Sequence, residues 1–413
     1  MQEEKVLLPE LRFPEFEGEW VEKKLFEIAK IERGRFSPRP RNNPIYYNGE
    51  IPFVQTGDVV NSNGIIENYT QTLNQKGLKV SKLFPKGTIL ITIAANIGYA
   101  GVLAIDMACP DSLIGIKCKK NIFNIFLNYQ LELEQPKMDY LAVAAAQKNI
   151  NIEFLKPYKF IIADLKEQQK IANFLTAIDN RIQTLEKKET LLEQYKKGVM
   201  QKIFNQELRF KDDTSTSLSK SDGKAFPEWG EKKLVNILTE FNEKSVISNQ
   251  HPILSSTTKG LFKQSDYFTR DIASKDNTGY KILRKQQLVF SPQNLWLGNI
   301  NVNCDFEVGI VSPSYKVFDF NKNLTSFIYC KYLLFTNRMF YEYAQASEQG
   351  ASVVRRNLDM SSFKAIPIKL PSKEEQTKIA NFLSSIDKNI ALVAKKIEHT
   401  KTYKKGLLQQ MFV

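Results

Sequence analysis

The sequence predicts an α+β protein: two mixed α/β heads, each followed by one long helix, the two helices paired as an antiparallel coiled coil about a pseudo-two-fold axis. Three observations predict it. "EQQKIANFLTAIDNRI" from Glu167 returns as "EQTKIANFLSSIDKNI" from Glu375, an offset of 208 (375 − 167) that also carries "YKKG" from Tyr195 to Tyr403. Both stretches hold apolar residues at alternating spacings of 4 and 3 over about five heptads. The sequence ahead of each is strand-like, and there the two copies differ most.

The helices come first because their periodicity is strongest. Ile171, Leu175, Ile178, Ile182 and Leu185 form one seam, and Ile379, Leu383, Ile386, Ile390 and Val393 the other. A seam sustained this long argues for a coiled coil rather than a helix lying on its own domain. Parallel pairing would make the intervening half span the helix length, roughly 60 Å for about forty residues at 1.5 Å each. Antiparallel pairing, with a head at each end, avoids that. The polar seam positions Glu189, Lys196, Thr400 and Lys404 are expected near the seam ends, where they set register at little cost.

The heads open alike, "FPEFEGEWVEKKL" from Phe13 and "FPEWGEKKL" from Phe226. Between the halves, "KDDTSTSLSKSDGK" (Lys211 to Lys224) has nothing to bury and reads as a solvated linker. The expected organisation is head 1–163, helix 164–205, linker 206–225, head 226–371 and helix 372–413. Strands are read in "IPFVQTGDVV", "GTILITI" and "GVLAI" of the first head, and in "YKILRKQQLVFS" and "GIVSPSYKVFDF" of the second. The uncharged run Thr88 to Ile105 mimics a membrane span. However, it carries Asn96, Gly98 and Gly101 centrally and barely reaches bilayer length, and its counterpart Leu288 to Val302 is polar. Both read as two strands around a loop.

A formal charge of +13 on 413 residues points to a polyanionic partner, nucleic acid before membrane, since no basic amphipathic or lipidation signal accompanies it. Cys109, Cys118, Cys304 and Cys330 are scattered and there are two histidines, which argues against a zinc site or disulfide framework and for a reducing cytoplasm. The start "MQEEKVLLPELRFPEF" shows neither a basic region nor an apolar core, so no secretory signal is expected.

Candidate DNA contacts follow from side-chain chemistry. In "RGRFSPRPRNN", Arg33, Arg35, Arg39 and Arg41 can hold phosphates or read guanine edges; the same loop also reads as solvated basic surface. Gln55, Thr56, Asn61 and Asn63 stand at turn positions, where amides read bases or simply form the turn. The second head offers Ser255, Thr257, Lys259 and Gln264 on a strand-turn element, and Gln293 and Asn294 beside Trp296, which serves equally as core or contact. Arg355 and Arg356 are read as phosphate contacts, with Lys148 as their counterpart in the first half. Catalytic signals are absent: no GxxxxGK, no glycine-rich turn in a βαβ setting, no acidic-x-Lys pair after Pro110-Asp111. "NPIY" at Asn43 lacks the second proline of the adenine methyltransferase motif. No catalytic or metal-ligating residue is assigned.

Two variable heads, each followed by "KEQQKIANFLTAIDNRI…YKKGVMQKIF" or "EEQTKIANFLSSIDKNI…YKKGLLQQMF", resemble the specificity (S) subunit of a type I restriction-modification enzyme over essentially the whole chain. The resemblance implies two target-recognition domains that bind double-stranded DNA at a bipartite target, with the helices as a ruler fixing a gap on the order of one helical turn, roughly 34 Å. It implies two methyltransferase (M) subunits docked on residues 165–205 and 373–413, and restriction (R) motor-nuclease subunits that join them. S-adenosylmethionine, ATP and Mg belong on those partners; this chain would be non-catalytic and hold no cofactor. Base contacts cannot be carried over, because the heads are what differs between members. Two other classes are a stand-alone sequence-specific DNA-binding protein, favoured by a free, high-affinity monomer, and a protein-binding adaptor, favoured by absent sequence preference with the partners present.

Overall fold

The computed structural model describes residues 7–94, 96–144, 149–212, 224–268, 276–349 and 356–413. The chain forms two compact units, Met1–Lys187 with Ala394–Val413, and Lys188–Val393. The expected long helices are present at Leu165–Phe204 and Lys373–Met411. Among the described residues, no helix is long and apolar enough to cross a membrane.

In the first unit, strand Val21–Lys24 pairs antiparallel with Lys159–Ile162, the strand that leads into the first long helix. A five-stranded sheet runs in the order Ala29–Arg33, Leu113–Cys118, Ile89–Thr92, Ala100–Leu103, Ile65–Ile66. Ile89 faces Val102 across its third and fourth strands, so the span-like run is two strands around a loop, as expected. A second sheet orders Gln71–Leu73, Tyr47–Phe53, Met107–Cys109 and Lys82–Phe84. "IPFVQTGDVV" is only half strand. It stops at Phe53, and Thr56–Val60 is helical because the Asp58 carboxylate accepts from the Gln55 backbone N–H at 2.7 Å, capping a turn that starts there.

The second unit repeats the frame. Gly230–Lys233 pairs with Pro367–Leu370, again leading into a long helix. Leu238–Phe241, Lys316–Phe320, Leu288–Phe290 and Ile300–Val302 form an antiparallel four-stranded sheet, with Leu288 facing Val302 as Ile89 faces Val102. The heads also hold helices that strand patterns do not announce: Asn124–Ala144 in the first unit, Phe327–Leu333 and Asn337–Gln345 in the second.

Each unit has its own core. Ile171, Leu175, Ile178 and Ile182 bury against Trp20, Leu25 and Phe126 of the head and against Leu407, Leu408, Met411 and Phe412 from the far end of the second helix. In the other unit Ile379, Leu383 and Ile386 bury with Trp229, Leu234 and Tyr329, and with Val199 and Ile203 from the far end of the first helix. The start of each helix meets the end of the other, which makes the pairing antiparallel. Val393 is buried, whereas Leu185 and Ile390 are half-buried. The seam therefore has two roles, since its first turns complete a head core as well as a coiled coil.

Lys211–Asp212 pairs with Lys224–Ala225, so the ends of the linker form a short ladder between the buried Phe210 and Phe226.

Candidate nucleic-acid interface

Two constellations hold the frame in both units. Glu167, 1% exposed, takes a bidentate grip from Arg12 (Nε to Oε1 2.7 Å, Nη2 to Oε2 2.8 Å) and the Trp20 indole N–H at 3.2 Å. Glu375, fully buried, takes the same from Arg209 (3.1 and 2.9 Å) and Trp229 (3.1 Å). A buried carboxylate is tolerated only when paired and hydrogen-bonded, so each of these partners is required. Sequence reading missed the arginines, although "LRF" at Leu11 and Leu208 was there to be found.

The second constellation joins the helices. Lys404 lies 2.9 Å from Asp179 and 3.1 Å from Glu132, with its ammonium over the Tyr129 ring, whose hydroxyl donates to Asp179 at 2.6 Å. Lys196 lies 2.5 Å from Asp387 and over Tyr332, whose hydroxyl donates to Asp387 at 2.7 Å. Burial pushes the pKa of Lys404 down, but Glu132 and Asp179 more than offset this and hold it above the ordinary value. These lysines are thus not low-cost end positions, as expected from sequence. They are half-buried cross-helix ion pairs. Beside them lie two grooves of like make: about 460 Å³ at Ile182, Leu408, Asp179 and Lys404 in the first unit, and about 570 Å³ at Ile390, Met200, Asp387 and Lys196 in the second.

On this frame the heads present different faces. In the first, Gly34 lets the arginine loop cross a turn, since a Cβ there would stand 2.1 Å from the Pro110 carbonyl oxygen. Phe36 buries against Phe53 (ring centroids 5.0 Å) and Tyr47 (5.7 Å), which pins the loop. The four arginines stay exposed, each with its guanidinium held by the protein. Arg33 Nε donates to the Asp111 carbonyl at 2.7 Å, and Arg35 to the Ser81 carbonyl at 2.9 Å. Arg39 donates to the Pro38 carbonyl at 2.8 Å, and Arg41 grips both Asp111 carboxylate oxygens at 2.8 and 2.9 Å. A guanidinium has five N–H donors, so each keeps donors for a further acceptor in a preset direction. Asp111 is therefore an arginine anchor.

Arg41 and Gln55 come together on one cavity of about 570 Å³. Thr56 contacts Ser112 at 3.3 Å nearby. Asn61 and Asn63 go elsewhere. Asn61 caps the Thr56–Val60 helix, while Asn63, at φ 49°, forms a left-handed turn on the Lys404 groove.

In the second head, Leu254–Thr257 and Gly260–Lys263 form a hairpin with Lys259 exposed at its turn. Ser255 is buried and accepts from Gln264 Nε2 at 3.3 Å, and Thr257 Oγ1 accepts from the Lys259 N–H and donates to the Gly260 carbonyl. These two hydroxyls are used within the hairpin. A buried Ser256–Asn299–Asn301 network, not anticipated, anchors it: Ser256 Oγ donates to Asn299 at 2.7 Å and accepts from Asn301 at 2.8 Å. Trp296 is half-buried, with the Arg356 guanidinium 4.2 Å over its ring. The Arg356 N–H donates to the carbonyl of exposed Gln293, so these three form one patch, and Asn294 closes the turn beside it. Lys148 and Arg355 lie outside the described residues. Among the described residues no cluster of three metal-ligating side chains exists.

The family model of the type I restriction modification DNA specificity domain matches residues 17–194 and 298–401. The type I restriction enzyme MjaIX specificity subunit of Methanocaldococcus jannaschii is 24% identical over 300 residues, 69% of this chain and 68% of that protein. The putative type I restriction enzyme MjaX specificity subunit of the same organism is 26% identical across 95% of this chain and 93% of its own. In fold, the chain is similar to the crystal structure of a type I restriction-modification S subunit from M. genitalium, with TM-score 0.58, 16% identity, and 98% and 99% of the two chains covered.

Proposed function

The chain belongs to the type I restriction-modification DNA specificity family, and from that premise we propose that it grips a bipartite double-stranded DNA target and directs methyltransferase and restriction subunits to it. It is a specificity subunit, a non-catalytic component. The observation that carries the proposal is the contrast between frame and face. Arg–Glu–Trp and Lys–Asp–Tyr recur in both units, whereas the exposed faces do not: a four-arginine loop in one, an Arg356–Trp296 patch beside a polar hairpin in the other. One frame carrying two unlike faces suits one half-site each.

Residues 1–163 would read one half-site through Arg33, Arg35, Arg39, Arg41 and Gln55, and residues 226–371 the other through Lys259, Gln293, Trp296 and Arg356. Like grooves on the two helix ends support docking of two M subunits, one per groove. S-adenosylmethionine, ATP and Mg would sit on the partner subunits, in the cytoplasm. Family membership does not favour the stand-alone DNA-binding reading.

The test is methylation-sensitive sequencing of DNA from cells co-expressing this chain with type I methyltransferase subunits. The expected result is a split motif of modified adenines that is absent without the chain. Replacing residues 13–160 by another head changes one half of the motif only; a change in both halves would refute the modular reading.

A further inference from the structure

The cavity beside the arginine loop has the make of a ring receptacle. Its lining includes Phe36, Phe53, Tyr47 and Tyr69, with Arg41 and Gln55. Phe36 and Phe53 are buried, and Tyr47 stands 6.2 Å from Phe53. One polar atom there is out of place. Gln55 Nε2 is buried with no acceptor, although the Gln55 backbone N–H is satisfied by Asp58. Leaving a buried donor unmade costs on the order of 1–3 kcal/mol, and a ligand bearing an acceptor removes that cost.

Three features select the ligand. Aromatic walls favour a flat ring, since base–aromatic stacking is worth roughly 1–3 kcal/mol per base. The orphan amide N–H asks for a ring nitrogen or carbonyl oxygen, the acceptors that bases present at their edges. Exposed Arg41 lines the same cavity, where a phosphate attached to that ring would find a guanidinium already oriented by Asp111. A volume of about 570 Å³ is in the range of small-molecule sites. We infer that the first unit holds one nucleobase turned out of the duplex, stacked against Tyr47 and Tyr69, the two rings of this wall that are not buried, with an acceptor on Gln55 Nε2. The inference rests on the DNA-binding reading above and adds to it an extrahelical base held by the specificity chain itself.

Turning a paired base out costs a few kcal/mol, least for one already unpaired, and each 1.4 kcal/mol is tenfold in affinity. The experiment therefore uses the full chain and two 25-base-pair duplexes at low salt. One carries a single bulged 2-aminopurine, the other the same base paired with thymine. The expected result is about tenfold tighter binding of the bulged duplex, with a change in 2-aminopurine emission on saturation. Gln55→Leu and, separately, Tyr69→Ala bring the bulged-to-paired affinity ratio to about one. Tyr69 is 40% exposed, so its truncation leaves the core intact. Equal affinities for the two duplexes, or a bulge preference that survives both substitutions, overturn the inference while leaving DNA binding standing. Binding of neither duplex by the chain alone overturns the inference, while the DNA reading stands or falls by the split methylation motif.

Discussion

Arg12→Ala is the sharpest test of how the frame is held. It removes both charged hydrogen bonds from Glu167 and leaves a carboxylate only 1% exposed with the Trp20 indole N–H alone at 3.2 Å. Removing one partner of a buried pair costs about 3–5 kcal/mol. The lower end applies, because Arg12 is itself 17% exposed and water can enter where it stood. With a urea slope of about 2 kcal/mol/M, a loss of about 3 kcal/mol moves the unfolding midpoint down by about 1.5 M. The assay is urea unfolding of the full chain followed by far-ultraviolet circular dichroism. Adding Glu167→Gln removes the stranded charge while keeping an acceptor for the indole, so about 0.5 M of the loss should return, a non-additivity expected of groups in contact. A further fall on adding Glu167→Gln, or a first shift under about 0.5 M, would refute the account of the pair as a compensated buried charge.

Three further outcomes are expected. Lys404→Met and Lys196→Met each strand a half-buried aspartate in one unit and cost about 1–2 kcal/mol; since they lie in different units the losses should add in thermal unfolding of the double variant. Lys117, with burial opposing it and Lys82 and Lys30 assisting, holds the Glu32 carboxyl at about 2, below the ordinary 4.5. That stabilisation is complete above about pH 4.5 and is lost as pH falls toward 2, so Glu32→Gln should lower stability by a constant amount above about pH 4.5 and flatten the acid limb, the two curves converging toward pH 2. Gly198 and Gly406 lie in helix interiors with nothing within 4 Å of an added Cβ, so alanine at either should stabilise by about 0.5–1 kcal/mol, read as a rise in midpoint on heating.

The helices were the most legible part of the sequence because their signal is periodic and written twice. Their antiparallel sense followed from the span that parallel pairing would demand of the half between them. Less legible was anything that depends on one unrepeated contact. Lys196 and Lys404 looked like tolerated polar seam positions, because periodicity shows which face a residue is on and not that Asp387 and Asp179 await it there. The arginines of the loop read as free phosphate binders, whereas each is tethered by a carbonyl or carboxylate whose position only the fold supplies. The helix Asn124–Ala144 went unread because its apolar residues surround it on several sides, being packed between sheet and long helix. Phe13 was matched to Phe226 by "FPE", yet Phe13 meets the ring of Phe174 as Phe210 meets that of Phe382, so its closest structural counterpart is Phe210. Alignment by motif slid past an insertion that packing makes plain.

That insertion bears on how the repeat closes. The Leu11 N–H donates to the Gln410 carbonyl at 2.9 Å, and the Leu208 N–H to the Lys202 carbonyl at 3.2 Å; Gln410 and Lys202 stand 208 residues apart (410 − 202), like the helices they end. Leu208 reaches its helix end through Asn205, Gln206 and Glu207, whereas Leu11 reaches its own with no covalent link. The same docking therefore forms with and without chain connectivity, and in both copies the next residue, Arg12 or Arg209, is paired with a glutamate in the first turn of a long helix, Glu167 or Glu375. The stretch Leu7–Phe13 is then part of the first unit's core assembly, with Leu7 and Phe13 packed against the cluster that contains Phe412. Each head begins where a long helix ends, and a repeat built this way leaves each helix to serve two heads: its first turns complete one core and its last turns receive the opening segment of the other.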